Sequence, residues 1–232
     1  MRQLKPPVHA IIFDFDYTLA DSSEGVIECV NFALDKLGLP LAADAEIRKT
    51  IGLSLPDALV MLVGREYVRH TDEFVRLFLE RADEVMTNMT ELFDSVPETV
   101  TALRKLGIRL GIVTLKYRYR VESVFRREQL TDAFEVIIGF EDVSDQKPNP
   151  TGLLTAVERL DCTRQNCFYV GDSVTDAKTA QRADIDFIAV MSGVTPRAAF
   201  DDYHVYAILE DVSGLLGLEL LTSPQARRPN AK

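Results

Sequence analysis

The chain has 232 residues, of which 47% are hydrophobic and 27% are charged. This composition is typical of a folded globular protein and excludes the disordered class, and the length fits one large domain or one domain with a smaller insertion. The 36 acidic and 26 basic residues give a formal net charge of -10. Such a charge repels nucleic-acid backbones and anionic membranes, so we expect neither as a partner. An anionic substrate would need a local basic cluster or a metal ion.

The cysteines and the first apolar segment indicate an intracellular protein. Cys29, Cys162 and Cys167 are an odd set without zinc-like spacing, so we expect reduced thiols packed in the core. The first apolar stretch is short and ends at Asp14, which predicts neither a signal peptide nor a membrane span. We therefore expect a cytoplasmic location. The sequence leaves the oligomeric state, monomer or dimer, open.

Apolar runs of strand length recur along most of the chain. They lie at 8–13, 108–113, 134–138, 167–170, 187–191 and, more weakly, 205–209. Segments with apolar residues at three- and four-residue spacing lie between most of them, at 99–106, 120–129, 151–160 and 175–182. This alternation predicts an α/β fold built on a doubly wound parallel sheet with crossover helices.

One long segment departs from the alternation. Between 21 and 95 no convincing strand appears, and the periodic apolar residues predict helices at 24–37, 56–63 and 74–89. We therefore predict a core domain at 1–20 and 96–222, an inserted helical domain at 21–95 and a mobile tail at 223–232. Because the insertion begins directly after an acidic strand end, we expect it to act as a lid.

Two carboxylates stand at the end of the first predicted strand. Asp14 and Asp16 follow the apolar run at 8–13, and Thr18 comes two residues later. A buried parallel strand reads as a continuous apolar run, and ligands bind beyond the carboxyl ends of such strands. A helix cap would explain the pair as well, since Asp and Thr are favoured at caps. On the pair alone, the two interpretations are equally good.

Further polar residues stand where other predicted strands should end. They are Thr114, Lys147, Gly171, Asp172 and Asp176. Glycine at 171 permits a close backbone approach, so that Asp172 would join Asp14 beside a hard cation such as Mg2+. The ammonium of Lys147, in a loop stiffened by proline, suits a phosphate oxygen, as does the hydroxyl of Thr114. The competing interpretations are a solvated lysine, an ordinary strand-edge threonine and helix capping by Asp172 or Asp176.

These positions match, in order, the four motifs of the haloacid dehalogenase superfamily, and the chain resembles a phosphatase of that superfamily. The motifs are Asp14-Phe15-Asp16-Tyr17-Thr18, then Thr114, then Lys147-Pro148, then Gly171-Asp172 with Asp176. The insertion lies between the first and second motifs, as helical caps of the first class do. The resemblance implies a Rossmann-like core with an inserted cap domain.

The resemblance also implies a role for each motif residue. Asp14 would attack the phosphoryl group and form an aspartyl-phosphate, and Asp16 would act first as acid and then as base. Thr114 and Lys147 would hold the phosphoryl oxygens. The ligands of Mg2+ would be Asp14, the backbone carbonyl of Asp16 and Asp172, with Asp176 supporting them from behind.

Two segments, 16–22 and 51–59, resemble the phosphoglycolate phosphatase branch and its β-phosphoglucomutase relatives. In that branch, the segment that begins at Gly52 is a cap loop that touches the substrate. Gly52 is therefore a candidate substrate contact.

The chain departs from that branch at two positions, and one basic residue near them is a further candidate. Glycine is usual at the position of Tyr17, and asparagine is common at the position of Leu115. Both departures bear on which substrate fits. Lys116 is a candidate contact for a second anionic group of the substrate, although a basic residue that opens a helix is usually solvated.

The combined motifs predict a Mg2+-dependent phosphatase that hydrolyses a small phosphorylated metabolite, such as phosphoglycolate or a sugar phosphate. A dehalogenase is disfavoured because those members of the superfamily lack a carboxylate at the position of Asp16. A sugar-phosphate mutase needs a second phosphate clamp, and 52–57 contains no basic residue to form it. A pyrophosphatase and a non-catalytic binding protein on the same fold are also compatible with the motifs.

Overall fold

Strands and helices alternate along most of residues 8–219, the part of the chain that this computed structural model describes. The strands are β1 Ala10–Phe13, β2 Ala20–Asp21, β3 Glu91–Leu92, β4 Arg109–Val113, β5 Val136–Ile138, β6 Cys167–Gly171, β7 Asp186–Val190 and β8 Val205–Leu209. The helices are α1 Ser23–Lys36, α2 Asp44–Arg48, α3 Leu55–Val63, α4 Thr71–Val85, α5 Val96–Lys105, α6 Arg118–Arg127, α7 Thr151–Arg159 and α8 Val174–Ala183. The tail predicted at 223–232 lies outside the described residues.

The chain forms two compact units. One contains the described residues up to Leu19 and from Phe93 onward, and the other contains Ala20–Leu92. Among residues 8–219, no helix combines the length and the apolar character needed to cross a membrane.

The first unit is organised by a parallel sheet. Among the described residues its strand order is β5-β4-β1-β6-β7-β8, and each neighbouring pair is parallel. β1 lies between β4 and β6, so that Ile12 aligns with Gly111 on one side and Tyr169 on the other. All four residues of β1 are fully buried, which explains the unbroken apolar run in the sequence.

Helices cover both faces of this sheet. Ala10 and Ile12 of β1 belong to an apolar core shared with α7 and α8. Phe13 points to the other face, where it meets Phe134 edge-on at 6.2 Å between ring centroids. Phe134 in turn stacks on Phe125 of α6 at 4.8 Å. The predicted α/β fold with a doubly wound parallel sheet is confirmed.

The second unit has its own apolar core, formed by side chains of its helices. Buried members include Cys29 and Leu34 of α1, Leu59 of α3, and Phe74 of α4. Helix α3 begins at an N-cap, Ser54, whose hydroxyl oxygen accepts a hydrogen bond from the backbone N–H of Asp57. The predicted absence of strands between 21 and 95 was wrong, because β2 and β3 pair there as an antiparallel ladder. Two residues per strand are too few for alternation to show in the sequence.

The turn after β1 places Tyr17 in a conformation that L-residues disfavour. Its φ is 60°, in the left-handed region that glycine adopts without steric cost. The backbone oxygen of Tyr17 accepts a hydrogen bond from Ser192 Oγ at 2.6 Å, and the side chain is only 5% exposed. The glycine that is usual in the resembling phosphatases fits this backbone. Tyr17 therefore takes a backbone conformation that suits glycine, with a side chain that costs strain.

We expect Tyr17→Gly to be more stable than Tyr17→Ala, by about 1 kcal/mol, the cost of a left-handed L-residue. Both variants remove the buried ring, so the difference between their free energies of unfolding reports the cost of the left-handed backbone conformation. Alanine is usually the more stable of the two elsewhere, which makes the expected order diagnostic. Chemical denaturation of the two variants measures the difference, and a more stable alanine variant would show that the turn is not strained.

Candidate active site

The residues that directly follow the central strands lie at one edge of the sheet. The backbone N–H of Asp14 donates to Val170 O at 2.8 Å, so the ladder between β1 and β6 extends to this residue. The N–H of Thr114 likewise donates to Ile138 O at 3.0 Å beyond β4. Asp172 directly follows β6. Because carboxyl ends of parallel strands share an edge, three predicted site residues are held there by the strands that precede them.

Lys147 is held among three acceptors. Its Nζ lies 2.9 Å from Asp14 Oδ1, 2.7 Å from Asp176 Oδ1 and 3.1 Å from the hydroxyl oxygen of Tyr169. The side chains of Lys147 and Asp14 are 5% and 4% exposed. The ammonium donates hydrogen bonds to Asp176 and Tyr169 and forms an ion pair with Asp14, and these contacts fix its position. Of the three partners, the neutral hydroxyl is the most distant.

Asp176 is itself engaged on both carboxylate oxygens. Its Oδ1 contacts Lys147 and lies 2.9 Å from the Tyr169 hydroxyl, while Oδ2 accepts from Ser173 Oγ at 2.5 Å. Ser173 Oγ in return accepts from the N–H of Asp176, and the N–H of Ser173 donates to Asp176 Oδ2 at 3.2 Å, so the two residues form a capping box at the start of α8. Asp176 thus anchors Lys147 and caps α8 at the same time. Its supporting role beside the metal stays a prediction.

A close approach explains the glycine before Asp172. A Cβ atom on Gly171 would lie 2.6 Å from the side chain of Asp176. Any larger residue would push that carboxylate away from Lys147. The glycine is therefore required by packing of β6 against the first turn of α8.

Three carboxylates come together at this edge, and their electrostatics favour a cation. Within residues 8–219, Asp14, Asp172 and Asp176 form a buried group whose ligand oxygens all lie within 4.8 Å of one another. Burial raises the pKa of Asp14 to about 7; Lys147 opposes this shift and Asp176 adds to it. Burial also raises the pKa of Asp172 well above its usual range, with further contributions from Asp176 and Asp14. Both shifts favour the neutral forms of these carboxyl groups, so it is costly to ionise all three with Lys147 as the partner cation.

The donor set suits a hard divalent cation. Carboxylate oxygens are preferred by Mg2+ and Ca2+, and a cation beside Asp14 and Asp172 would offset the burial and the mutual repulsion that raise their pKa values. Asp176 is less suited to direct binding, since both of its oxygens already have protein partners. Thr18 supports Asp172 from nearby, with its Oγ1 3.5 Å from Asp172 Oδ1. The residues present therefore fit the metal that the motifs predict.

Asp16 and Lys116 form a second ion pair in the same unit. Lys116 Nζ lies 2.8 Å from Asp16 Oδ1, and the side chains of Lys116 and Asp16 are 6% and 17% exposed. The backbone N–H of Lys116 donates to Thr114 Oγ1 at 3.2 Å, so the threonine hydroxyl still has its own proton to donate. The structure thus brings together two residues that the sequence assigned to different tasks, acid/base catalysis and substrate binding.

Gly52 lies in the other unit, in a turn before α3 with φ 89°. Left-handed backbone explains glycine at this position. Its predicted contact with the substrate stays a prediction.

Sequence reasoning missed three residues that support the site. Tyr169 contacts Lys147, Ser192 holds the turn at Tyr17, and Gly193 lies against Asp172 so closely that a Cβ would be 2.0 Å from Oδ2. Ser192 and Gly193 follow the apolar run of β7 almost directly, which is the signal that identified the other residues at strand ends. Tyr169 offers a weaker signal, a single hydroxyl within an otherwise apolar strand.

Comparisons with known proteins agree with this arrangement. Residues 11–190 match the family described as haloacid dehalogenase-like hydrolase. A phosphoglycolate phosphatase from Escherichia coli O157:H7 is 30% identical over 230 residues, which cover 90% of this chain and 91% of that protein. A pyrophosphatase, PpaX, from Bacillus mycoides is 28% identical over 209 residues, with 90% and 95% covered.

A solved structure shows the same fold. A Bacteroides fragilis protein assigned to the haloacid dehalogenase-like hydrolases superposes with a TM-score of 0.86 at 38% identity, over 90% of this chain and 99% of that one. The resemblance that the four motifs indicated is therefore confirmed. With the family match spanning most of the chain and the motif residues gathered at one edge of the sheet, this protein is an enzyme that belongs to the haloacid dehalogenase-like hydrolases.

Proposed function

We propose that this hydrolase is a Mg2+-dependent phosphatase that cleaves a small phosphate monoester, of the phosphoglycolate or sugar-phosphate class, through an aspartyl-phosphate. The observation that carries the proposal is the buried carboxylate of Asp14, held 2.9 Å from Lys147 beside Asp172. The phosphoglycolate phosphatase from E. coli, related over 90% of this chain, supports the substrate class.

In the first step, a carboxylate oxygen of Asp14 bonds to phosphorus while the bond from phosphorus to the ester oxygen breaks. The ester oxygen takes a proton from Asp16 and leaves as an alcohol. In the second step, water attacks the phosphorus and gives a proton to Asp16, and the bond to Asp14 breaks. Inorganic phosphate is released, and both carboxyl groups return to their starting states.

The remaining groups neutralise charge. Bound Mg2+ would offset the negative charge of the phosphoryl group and of the carboxylates around it. Its proposed ligands are Asp14, the backbone carbonyl of Asp16 and Asp172, with Asp176 in support. Thr114 would donate its hydroxyl proton to a phosphoryl oxygen, and Lys147 would exchange the Tyr169 hydroxyl for another.

A second candidate function is hydrolysis of a small phosphoric anhydride. The observation that favours it is the B. mycoides pyrophosphatase, which is related over 90% of this chain. The same two steps apply, with phosphate instead of an alcohol as the leaving group. The two candidates therefore differ in substrate and not in the residues that act.

The first prediction concerns turnover. We expect release of inorganic phosphate from at least one of phosphoglycolate, sugar phosphates, nucleotides and pyrophosphate, dependent on Mg2+ and abolished by chelation. Asp14→Asn should lower turnover by at least about 1000-fold, because the amide is a poor nucleophile. The exposed Asp201→Asn, in the same unit, should match the wild type.

A phosphate-release assay over this panel measures both effects and separates the candidates. Wild-type turnover by Asp14→Asn, or turnover that survives thorough chelation, would contradict the mechanism. Binding of phosphate esters without any turnover would favour a non-catalytic protein, and interconversion of sugar phosphates with little free phosphate would favour a mutase.

The second prediction concerns metal and stability. Mg2+ at ten times its dissociation constant should stabilise the wild type by about 1.4 kcal/mol, or about 3–6 °C in Tm for a chain of this size. Asp172→Asn should raise the Tm of the metal-free protein, because it removes a carboxyl group that is costly to ionise at this buried position, and Mg2+ should no longer raise the Tm of this variant. Differential scanning calorimetry with and without Mg2+ measures both, with Asp201→Asn as the control. An unchanged increment in Asp172→Asn would exclude this aspartate as a ligand.

The third prediction concerns pH in the absence of metal. The pKa of Asp14 is about 7 in the folded protein and 3.8 as the reference for the unfolded chain. The folded state therefore holds this proton more tightly, so the stabilisation present at low pH is lost as the pH rises towards 7. We expect the free energy of unfolding of Asp14→Asn, relative to that of the wild type in EDTA, to increase between about pH 5 and about pH 7, with a limiting slope of about 1.4 kcal/mol per pH unit. Chemical denaturation over this pH range measures the difference. A constant difference would show that Asp14 is already ionised at the lower pH.

A further inference from the structure

We propose that Lys116 is a positioning residue that holds the acid/base carboxyl of Asp16 in place, and not a clamp for a second anionic group of the substrate. This inference rests on the proposed phosphatase function. Its basis is the ion pair of 2.8 Å between Lys116 Nζ and Asp16 Oδ1, in which the lysine side chain is only 6% exposed.

Lys116 is fixed along its whole length. Its backbone N–H donates to Thr114 Oγ1 at 3.2 Å, and its backbone oxygen accepts from the N–H of Phe140 at 3.0 Å. Its ammonium also lies 5.7 Å from the centroid of the Phe15 ring, within the range of a cation–π contact. A lysine held at the backbone, along one ring and at the ammonium is suited to fixing its partner.

The two buried lysines of the site have separate partners. Lys147 forms ion pairs with Asp14 and Asp176 and a hydrogen bond to Tyr169, whereas Lys116 forms an ion pair with Asp16. The Lys116 side chain is only 6% exposed, so to clamp a distant anionic group of the substrate its ammonium would have to move towards solvent and away from Asp16. Breaking a pair this buried is costly, because it leaves a desolvated carboxylate without its cation. The pairing is therefore better explained as part of the proton-transfer machinery.

Positioning of this kind matters most where a proton must be delivered. Asp16 has to reach the ester oxygen as its bond to phosphorus breaks, and a misplacement of about 1 Å in such a group costs about 100-fold in rate. Alkoxide leaving groups need this proton, whereas 4-nitrophenolate is stable without it. Substitution of Lys116 should therefore lower kcat/KM more for esters with an alkoxide leaving group than for the 4-nitrophenyl ester.

The test compares kcat/KM for an alkyl phosphate and for 4-nitrophenyl phosphate in the Mg2+-loaded enzyme. We expect Lys116→Met to lose about 10- to 100-fold with the alkyl ester and less than about 3-fold with the aryl ester, since general acid catalysis contributes about 100- to 10000-fold. Lys116→Arg should recover part of the loss because it keeps the charge. The exposed Lys105→Met, in the same unit, is the matched control and should behave as wild type with both esters.

A double-mutant cycle sharpens the test. Asp16→Asn should show the same preference for the aryl ester, and adding Lys116→Met to it should cost less than about 3-fold more, because the lysine would have no carboxyl left to position. If the fold-losses in kcat/KM of the two single variants multiply fully in the double variant, Lys116 acts independently of Asp16, and the proposal is overturned.

The remaining outcomes separate positioning from a purely structural role and from a clamp. An equal loss with both esters, together with a lower Tm, would assign Lys116 a structural role only and overturn the proposal while leaving the phosphatase function intact. A loss confined to KM for esters with a second anionic group would instead establish the clamp. Should Lys116→Met fail to fold, Lys116→Gln provides the same comparison. If the wild type hydrolyses neither these esters nor any other, the proposed function fails, and this proposal fails with it.

Discussion

The site depends on the ion pairs that one buried ammonium, Lys147, makes with Asp14 and Asp176. Carboxylates are rarely buried without a cation, because desolvation costs several kcal/mol per ion, on the order of 20 in the idealised limit. Lys147 makes burial of Asp14 possible. The Tyr169 hydroxyl holds the ammonium of Lys147, and the capping box of α8 holds the carboxylate of Asp176. Once Asp14, Asp172 and Asp176 are all ionised, their negative charge exceeds the single positive charge of Lys147. A divalent cation is the physical complement of that excess.

The parallel sheet is what allows this charge to be concentrated. Its central strand is apolar throughout and buried, so the register is fixed by packing and by ladders on both sides. The backbone position of the first residue after a strand is therefore also fixed, as the hydrogen bonds of Asp14 and Thr114 to neighbouring strands show. Asp14 and Asp172, which are distant in sequence, thereby meet at one edge of the sheet. Rigid strand ends make a better platform for phosphoryl transfer than mobile segments would.

The strands and crossover helices could be predicted because buried parallel strands leave continuous apolar runs, and the strand ends led to Asp14, Thr114 and Asp172. Which charges pair with which could not be predicted. Lys116 and Asp16 are 100 positions apart, and nothing local distinguishes their ion pair from two separate functional residues. The ladder of β2 and β3 was missed because two residues show no period. Such features are set by tertiary contacts and leave little trace in local sequence patterns.

Asp14 and Asp16, to which we assign different chemical roles, each form an ion pair with a different lysine. Asp14 lies in the fully buried group with Lys147, where a nucleophile can be held against a phosphoryl group. Asp16 is more exposed and is paired with Lys116, outside that group. Two carboxyl groups in different environments can take different roles in one reaction. Because each has its own lysine, the acid/base carboxyl can gain and lose a proton while the cation that holds the nucleophile stays in place.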